Sequence, residues 1–155
     1  MDNKQLDNHM RTVMEGVESS IEGYNPPFAA LLLDENGKII NKSYNTVCED
    51  RNHLMHAEVK LLLDTKNRLG IENFSKFTLI CNAASCPMCT SAALKCQIKR
   101  FVFGAPSPKK QNPNVSMEEI LESSSFEISV TSGVLESECQ DQIDRGLKTA
   151  KKWWE

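Results

Sequence analysis

His56-Ala57-Glu58 stands 27 residues ahead of Cys86-Pro87-Met88-Cys89, and these two stretches decide how the rest of the chain is read. Cys86 and Cys89 are three apart, so at the start of a helix they share one face. Pro87 suits the first helical turn, where a missing N–H does no harm, and the positive end of the helix dipole favours both thiolates. His56 and Glu58 are two apart, which inside a helix turns them in nearly opposite directions. They converge only where the N-terminal end of a helix faces a common point. The pattern therefore predicts two helix N-termini that meet, one carrying His56 and Glu58, the other the cysteine pair. Three soft or borderline donors with no fourth nearby leave a coordination position open, which is how a catalytic zinc is held.

Working outward, the flanking segments alternate between two periodicities. Leu6, Met10, Val13, Met14, Val17 and Ile21 recur at helical spacing, predicting an amphipathic helix over 2–22 that Asn25-Pro26-Pro27 ends. The apolar run from Phe28 to Leu33 leads through Asp34-Glu35-Asn36-Gly37 to Lys38–Tyr44, a hairpin signal. After a polar stretch, 46–53, a helix is expected from about Leu54 to Leu69, with Gly70 as its C-cap. Lys76–Cys81 reads as a strand, Pro87–Cys96 as a helix and Ile98–Gly104 as a strand. Residues 105–115, with three prolines, read as a loop. Ser116-Met117-Glu118-Glu119 is a capping box opening a short helix, Phe126–Val130 is a strand, and a last helix is expected from about Leu135 to the C-terminus. Helices alternating with strands after an initial hairpin predict an α/β fold, a three-layer α/β/α arrangement with a central mixed sheet of about five strands. There is no repeat or linker, and residues 1–155 are expected to form a single domain.

Composition narrows the function. Hydrophobic residues make up 40% and charged residues 25% of the 155, ordinary globular values. No apolar run approaches the ~20 residues of a membrane helix, so no membrane partner is expected. The first residues lack a signal pattern, which points to the cytoplasm. There, six cysteines suit reduced thiols and a metal better than disulfides. A net charge of −3 leans toward a small-molecule substrate over one gripped by its phosphates.

The combined pattern His-x-Glu…Cys-x-x-Cys resembles the signature of zinc deaminases. The chain is similar to the cytidine deaminase superfamily, most closely to its purine-type branch of tRNA adenosine deaminases, guanine deaminases and nucleoside deaminases. Pro27-Phe28-Ala29-Ala30 looks like the family's Pro-Phe-Gly-Ala strand, and Ser43-Tyr44-Asn45 like its substrate-contacting segment. Ile98–Ala105 is similar to the strand after the cysteine helix, and Gly133–Cys139 to the start of the C-terminal helix in the tRNA enzymes. The resemblance implies that His56, Cys86 and Cys89 hold Zn2+ and that Glu58 is catalytic, shuttling protons. It implies that Asn45, Phe28 and the backbone at Ala57 and Ser85 bind substrate, and that the protein is a homodimer. The activity implied is hydrolytic release of ammonia from a nucleobase, nucleoside or nucleotide, a purine such as guanine or adenosine favoured. A tRNA adenosine-to-inosine deaminase and a catalytically degenerate zinc-binding protein are the alternatives.

Two departures stand out. Ala84-Ser85 replaces the family's Glu-Pro before the first cysteine, where Ser85 could serve as an N-cap, and Ala29 replaces a glycine. Other residues keep plainer readings. His53 could be a fourth ligand, closing the site as a structural one. Cys48, Cys81, Cys96 and Cys139 read as small core or near-surface residues, His9 as a helix residue without a role, and Asn45 has a strand-end turn as its lesser reading. Arg145, Lys148, Lys151 and Lys152 with Trp153-Trp154 could bind RNA or simply complement a helix C-terminus and pack on the domain. The apolar face of Met88–Leu94 fits either core or a dimer contact.

Overall fold

The computed structural model describes residues 1–155 and builds them around one mixed five-stranded sheet in the order β2-β1-β3-β4-β5. The strands are β1 (Ala29–Leu33), β2 (Ile39–Tyr44), β3 (Thr78–Ala83), β4 (Arg100–Ala105) and β5 (Ser129–Thr131). The helices are α1 (Asn3–Glu22), α2 (Ala57–Leu69), α3 (Pro87–Lys95), α4 (Met117–Glu122) and α5 (Glu136–Thr149). β1 runs antiparallel to both β2 and β3, whereas β3, β4 and β5 are mutually parallel. The hairpin forms where it is expected. Gly37 takes a φ of 79°, a conformation glycine adopts without a Cβ penalty, and Asp34 Oδ1 accepts the N–H groups of Asn36 and Lys38.

Strand alternation divides the core into two layers. Ala30, Leu32, Leu79, Cys81, Phe101 and Phe103 face one side, where Ala57 and Leu61 of α2 and Ala93 of α3 meet them. Leu31, Leu33, Ile80 and Val102 face the other, against Met10, Val13 and Val17 of α1 and Cys139 and Ile143 of α5. β1 and β3 are buried from end to end, the mark of strands covered on both faces. The fold is thus the expected α/β/α sandwich. The carboxyl ends of β3 and β4, the start of β1 and the end of β2 all open on one rim.

Several boundaries differ from the sequence reading, and the strands expected over Lys76–Cys81 and Ile98–Gly104 each sit one or two residues later, at Thr78–Ala83 and Arg100–Ala105. α2 begins at Ala57, not near Leu54, because side-chain amides hold residues 46–55 as a loop. Asn25 Oδ1 accepts from Cys48 N and Glu49 N, Asn45 Oδ1 from Val47 N, and Asn52 Oδ1 from Leu54 N. α5 stops at Thr149 and the last six residues turn back, with Lys151 N donating to Tyr24 O and Trp153 Nε1 to Val47 O. β5 is a short exposed edge, shifted to Ser129–Thr131. The N-cap of α3 is Cys86, so Ser85 does not cap it.

Candidate metal centre and substrate cavity

Both motifs sit at helix N-termini, and the two helices aim at one point. His56 is the N-cap residue of α2, in an extended conformation that frees its ring from the helix, and Glu58 lies in the first turn. Cys86 is the N-cap of α3, Pro87 its first residue, and Cys89 closes the first turn. A short loop of Ala84 and Ser85 joins β3 to α3, so the cysteines emerge directly from the central strand. His56 Nδ1 lies 3.5 Å from Cys86 Sγ and 3.5 Å from Cys89 Sγ. All three donor atoms fall within 4.8 Å of one another. Zinc–nitrogen and zinc–sulfur bonds of about 2.0 and 2.3 Å at a tetrahedral angle require an N···S separation of ~3.5 Å. The donor set therefore fits a tetrahedral zinc with one position left over. His53 takes no part, since its ring stacks on Trp153 and Trp154 with centroids 5.1 and 4.6 Å away.

The donors are strongly coupled. Hydrogen bonding from Cys89 and then His56 lowers the Cys86 pKa to about 4 against the opposing effect of burial, while the Cys86 thiolate and burial push Cys89 upward. Burial works to lower His56, but the hydrogen bond and charge of Cys86 outweigh it and its pKa rises. Glu58 is 7% exposed. Burial raises its pKa, with the Cys86 thiolate adding to the effect, and both favour the protonated acid.

Beside these groups lies a cavity of about 160 Å3. Phe28, Asn45, His56, Glu58 and Cys86 line it, together with Cys81, Asn82 and the Ala83-Ala84 pair. Asn45 is both turn residue and cavity residue. Its Oδ1 bonds Val47 N and its backbone N–H donates to Phe28 O, while its Nδ2 has no protein acceptor. Ala57 and Ser85 do not line the cavity. Ala57 is fully buried at the first position of α2, and the Ser85 carbonyl accepts from Thr90 Oγ1 at 3.2 Å. Ala29, in place of the family's glycine, is received by Gly16 of α1, where a Cβ would come within 3.1 Å of the Ala29 methyl.

Two side-chain amides of the cavity escape the sequence reading. Asn82 is buried in β3; its Oδ1 accepts from Ala29 N and its Nδ2 donates to Pro27 O, both at 3.0 Å. It thereby clamps the backbone on either side of Phe28. A polar residue inside an apolar strand run was the available signal. Gln111 reaches the cavity from the loop after β4 with Pro108, and no local pattern marks it. The remaining cysteines are free: Cys81 and Cys139 are buried, Cys48 and Cys96 half-buried.

Residues 3–105 match the family described as the cytidine and deoxycytidylate deaminase zinc-binding region. The chain belongs to this family. It is 31% identical over 127 residues to the tRNA-specific adenosine deaminase of Buchnera aphidicola subsp. Baizongia pistaciae, covering 81% of this chain and 78% of that protein. Its identity to the tRNA-specific adenosine deaminase of Rickettsia bellii is 32% over 101 residues, 64% and 70% of the two chains. It also matches the tRNA(Ile)-lysidine synthase of Deinococcus radiodurans at 35% identity over 92 residues, 59% of this chain but only 16% of that much longer protein. A solved structure from work on A-to-I editing by tRNA:A34 deaminases superposes with a TM-score of 0.75 at 26% identity, over 86% of this chain and 96% of that one. The fold is shared as well with a guanine deaminase from Nitrosomonas europaea (TM-score 0.76, 24% identity, 90% and 83% covered). No helix of this family member is long and apolar enough to cross a membrane.

Proposed function

We propose that the chain is one zinc-dependent domain, 1–155, that hydrolytically deaminates a purine-type nucleobase or nucleoside. The observation that carries this is the placement of a buried Glu58 carboxyl beside the His56, Cys86 and Cys89 donors on the wall of a small cavity. Zinc held by His56, Cys86 and Cys89 would supply Lewis acidity that brings the pKa of a water to roughly 7. The positive ends of α2 and α3 both face the point where negative charge would develop on the substrate. Asn45 Nδ2 is free to donate to the ring, and Phe28 offers an apolar surface. Glu58 removes a proton from the attacking water, passes it to a ring nitrogen, and returns a second one to the departing amine. The balance is water in, ammonia out, with a C–NH2 replaced by C=O. No lysine or arginine lines the cavity, which favours an uncharged ring over a phosphorylated one. A homodimer acting in the cytoplasm belongs to the same proposal.

A second reading, deamination of an adenosine in tRNA, is favoured by the tRNA-specific adenosine deaminases among the relatives. The tail that could have gripped RNA is largely engaged within the chain. Arg145 pairs with Glu18, Lys152 with Glu155, and Lys151 sits over the Tyr24 ring. The deciding experiment is ammonia release by zinc-loaded protein and its Glu58→Ala variant, from guanine, adenine, cytosine, their nucleosides and monophosphates, and an anticodon stem-loop. Release from a base or nucleoside that depends on Glu58 is the expected result. Release from the stem-loop alone would select the tRNA reading, and silence throughout would leave a degenerate zinc-binding protein.

A further inference from the structure

Gln111 enters the substrate cavity from a loop that otherwise makes few attachments. Between the end of β4 and α4 that loop makes no backbone hydrogen bond to the body of the protein, and the Gln111 side chain supplies one of its internal ties. Gln111 Nε2 donates to Val115 O at 2.8 Å. That bond fixes which way the carboxamide points, and it leaves Oε1 with no donor from the protein. Asn45 and Gln111 both line the cavity, and each has one amide atom without a protein partner: Asn45 Nδ2, a donor, and Gln111 Oε1, an acceptor. The Asn82 amide is fully used on backbone, and Phe28, Ala29, Ala83, Ala84 and Pro108 offer no side-chain hydrogen bonds. A site with few polar groups discriminates chiefly through them, because an unmatched ligand leaves a desolvated group without a partner.

We propose that Gln111 is a specificity-determining residue whose Oε1 accepts an N–H from the substrate ring. It selects rings that carry an exocyclic amino group other than the one that is lost. The proposal rests on the cavity being the substrate site and deepens that reading. It predicts that 2-aminopurine outcompetes purine, and 2,6-diaminopurine outcompetes adenine, each pair differing only by one amino group.

Equilibrium binding to zinc-loaded Glu58→Ala protein tests this without turnover, using the fluorescence of 2-aminopurine as probe and the other three rings as competitors. The amino-bearing member of each pair should bind about tenfold tighter, the effect of one matched hydrogen bond in a desolvated site. Gln111→Leu should bring the ratio close to one while leaving purine and adenine within about twofold of their original affinity. Gln111→Glu keeps an acceptor but loses the bond to Val115. It separates recognition from loop support: recognition predicts that the preference survives, whereas a purely structural role predicts that both variants weaken all four ligands alike. That uniform loss, an unchanged ratio in Gln111→Leu, or no binding by any of the four rings would overturn the proposal. Ammonia release by the wild-type protein is read separately, so the deaminase reading stands or falls by its own result.

Discussion

Replacing Asn82 with alanine tests how the cavity wall is held. Asn82 is 1% exposed and spans the gap where the β1–β3 ladder ends at Ala30 and Cys81. Its amide satisfies Ala29 N and Pro27 O, the backbone groups flanking Phe28, and Phe28 O in turn accepts from Asn45 N. The variant leaves a buried N–H and a buried C=O without partners, each costing about 1–3 kcal/mol. Water entering from the adjacent cavity would recover part of this, for a net loss of about 3 kcal/mol. At about 2–4 °C per kcal/mol for a chain of this size, the midpoint of thermal unfolding should fall by roughly 10 °C. The chain Asn82–Phe28–Asn45 also predicts a site-specific effect. Ammonia release at a temperature where the variant is fully folded should show a raised KM, because Phe28 and Asn45 lose their fixed spacing. A midpoint within about 2 °C of wild type, measured by circular dichroism on zinc-loaded protein, would refute the reasoning.

Other consequences can be measured independently. Cys86→Ser and Cys89→Ser should each lose the single zinc per chain seen by elemental analysis after dialysis, whereas Cys96→Ser, outside the donor cluster, should retain it. Gly146→Val should destabilise by about 1–3 kcal/mol or more in urea. A Cβ there comes within 2.9 Å of Pro27 Cγ and Ile21 Cγ1 and closer still to Pro27 Cβ. Hydrogen bonds from Arg145, then Gln142, lower the Glu18 pKa below its ordinary 4.5. Its contribution is therefore present above that pH and is lost as pH falls through the folded value. The melting difference between wild type and Glu18→Gln should shrink on acidification below pH 4.5, and by a small amount, since the pair is about half exposed.

Much of the fold and the convergence of the two motifs were legible because they rest on short-range rules. Helical spacing, the Ser116 and Glu119 capping box and the Asp34–Gly37 turn each act within a few residues, and each formed as read. The impossibility of His56 and Glu58 sharing a helix face was enough to place both at an N-terminus. What escaped was set by contacts distant in sequence. The start of α2 depends on Asn25, more than 20 residues upstream, holding the loop backbone at Cys48 and Glu49. Asn82 lies one residue past the end of the strand as read from the sequence, and its partners at Pro27 and Ala29 are more than 50 residues away. Gln111 comes from a segment with no periodicity, so only the folded chain brings it to the cavity.

The turned-back tail has an optical consequence. Trp153 and Trp154 are the only two tryptophans in the chain, and both lie against His53, three residues before His56. All indole emission therefore originates beside the loop that leads into His56, next to an imidazole. Loading the site, or shifting the loop that carries it, should register in the intrinsic fluorescence of the unlabelled protein, and a tag fused after Glu155 would disturb the same reporter.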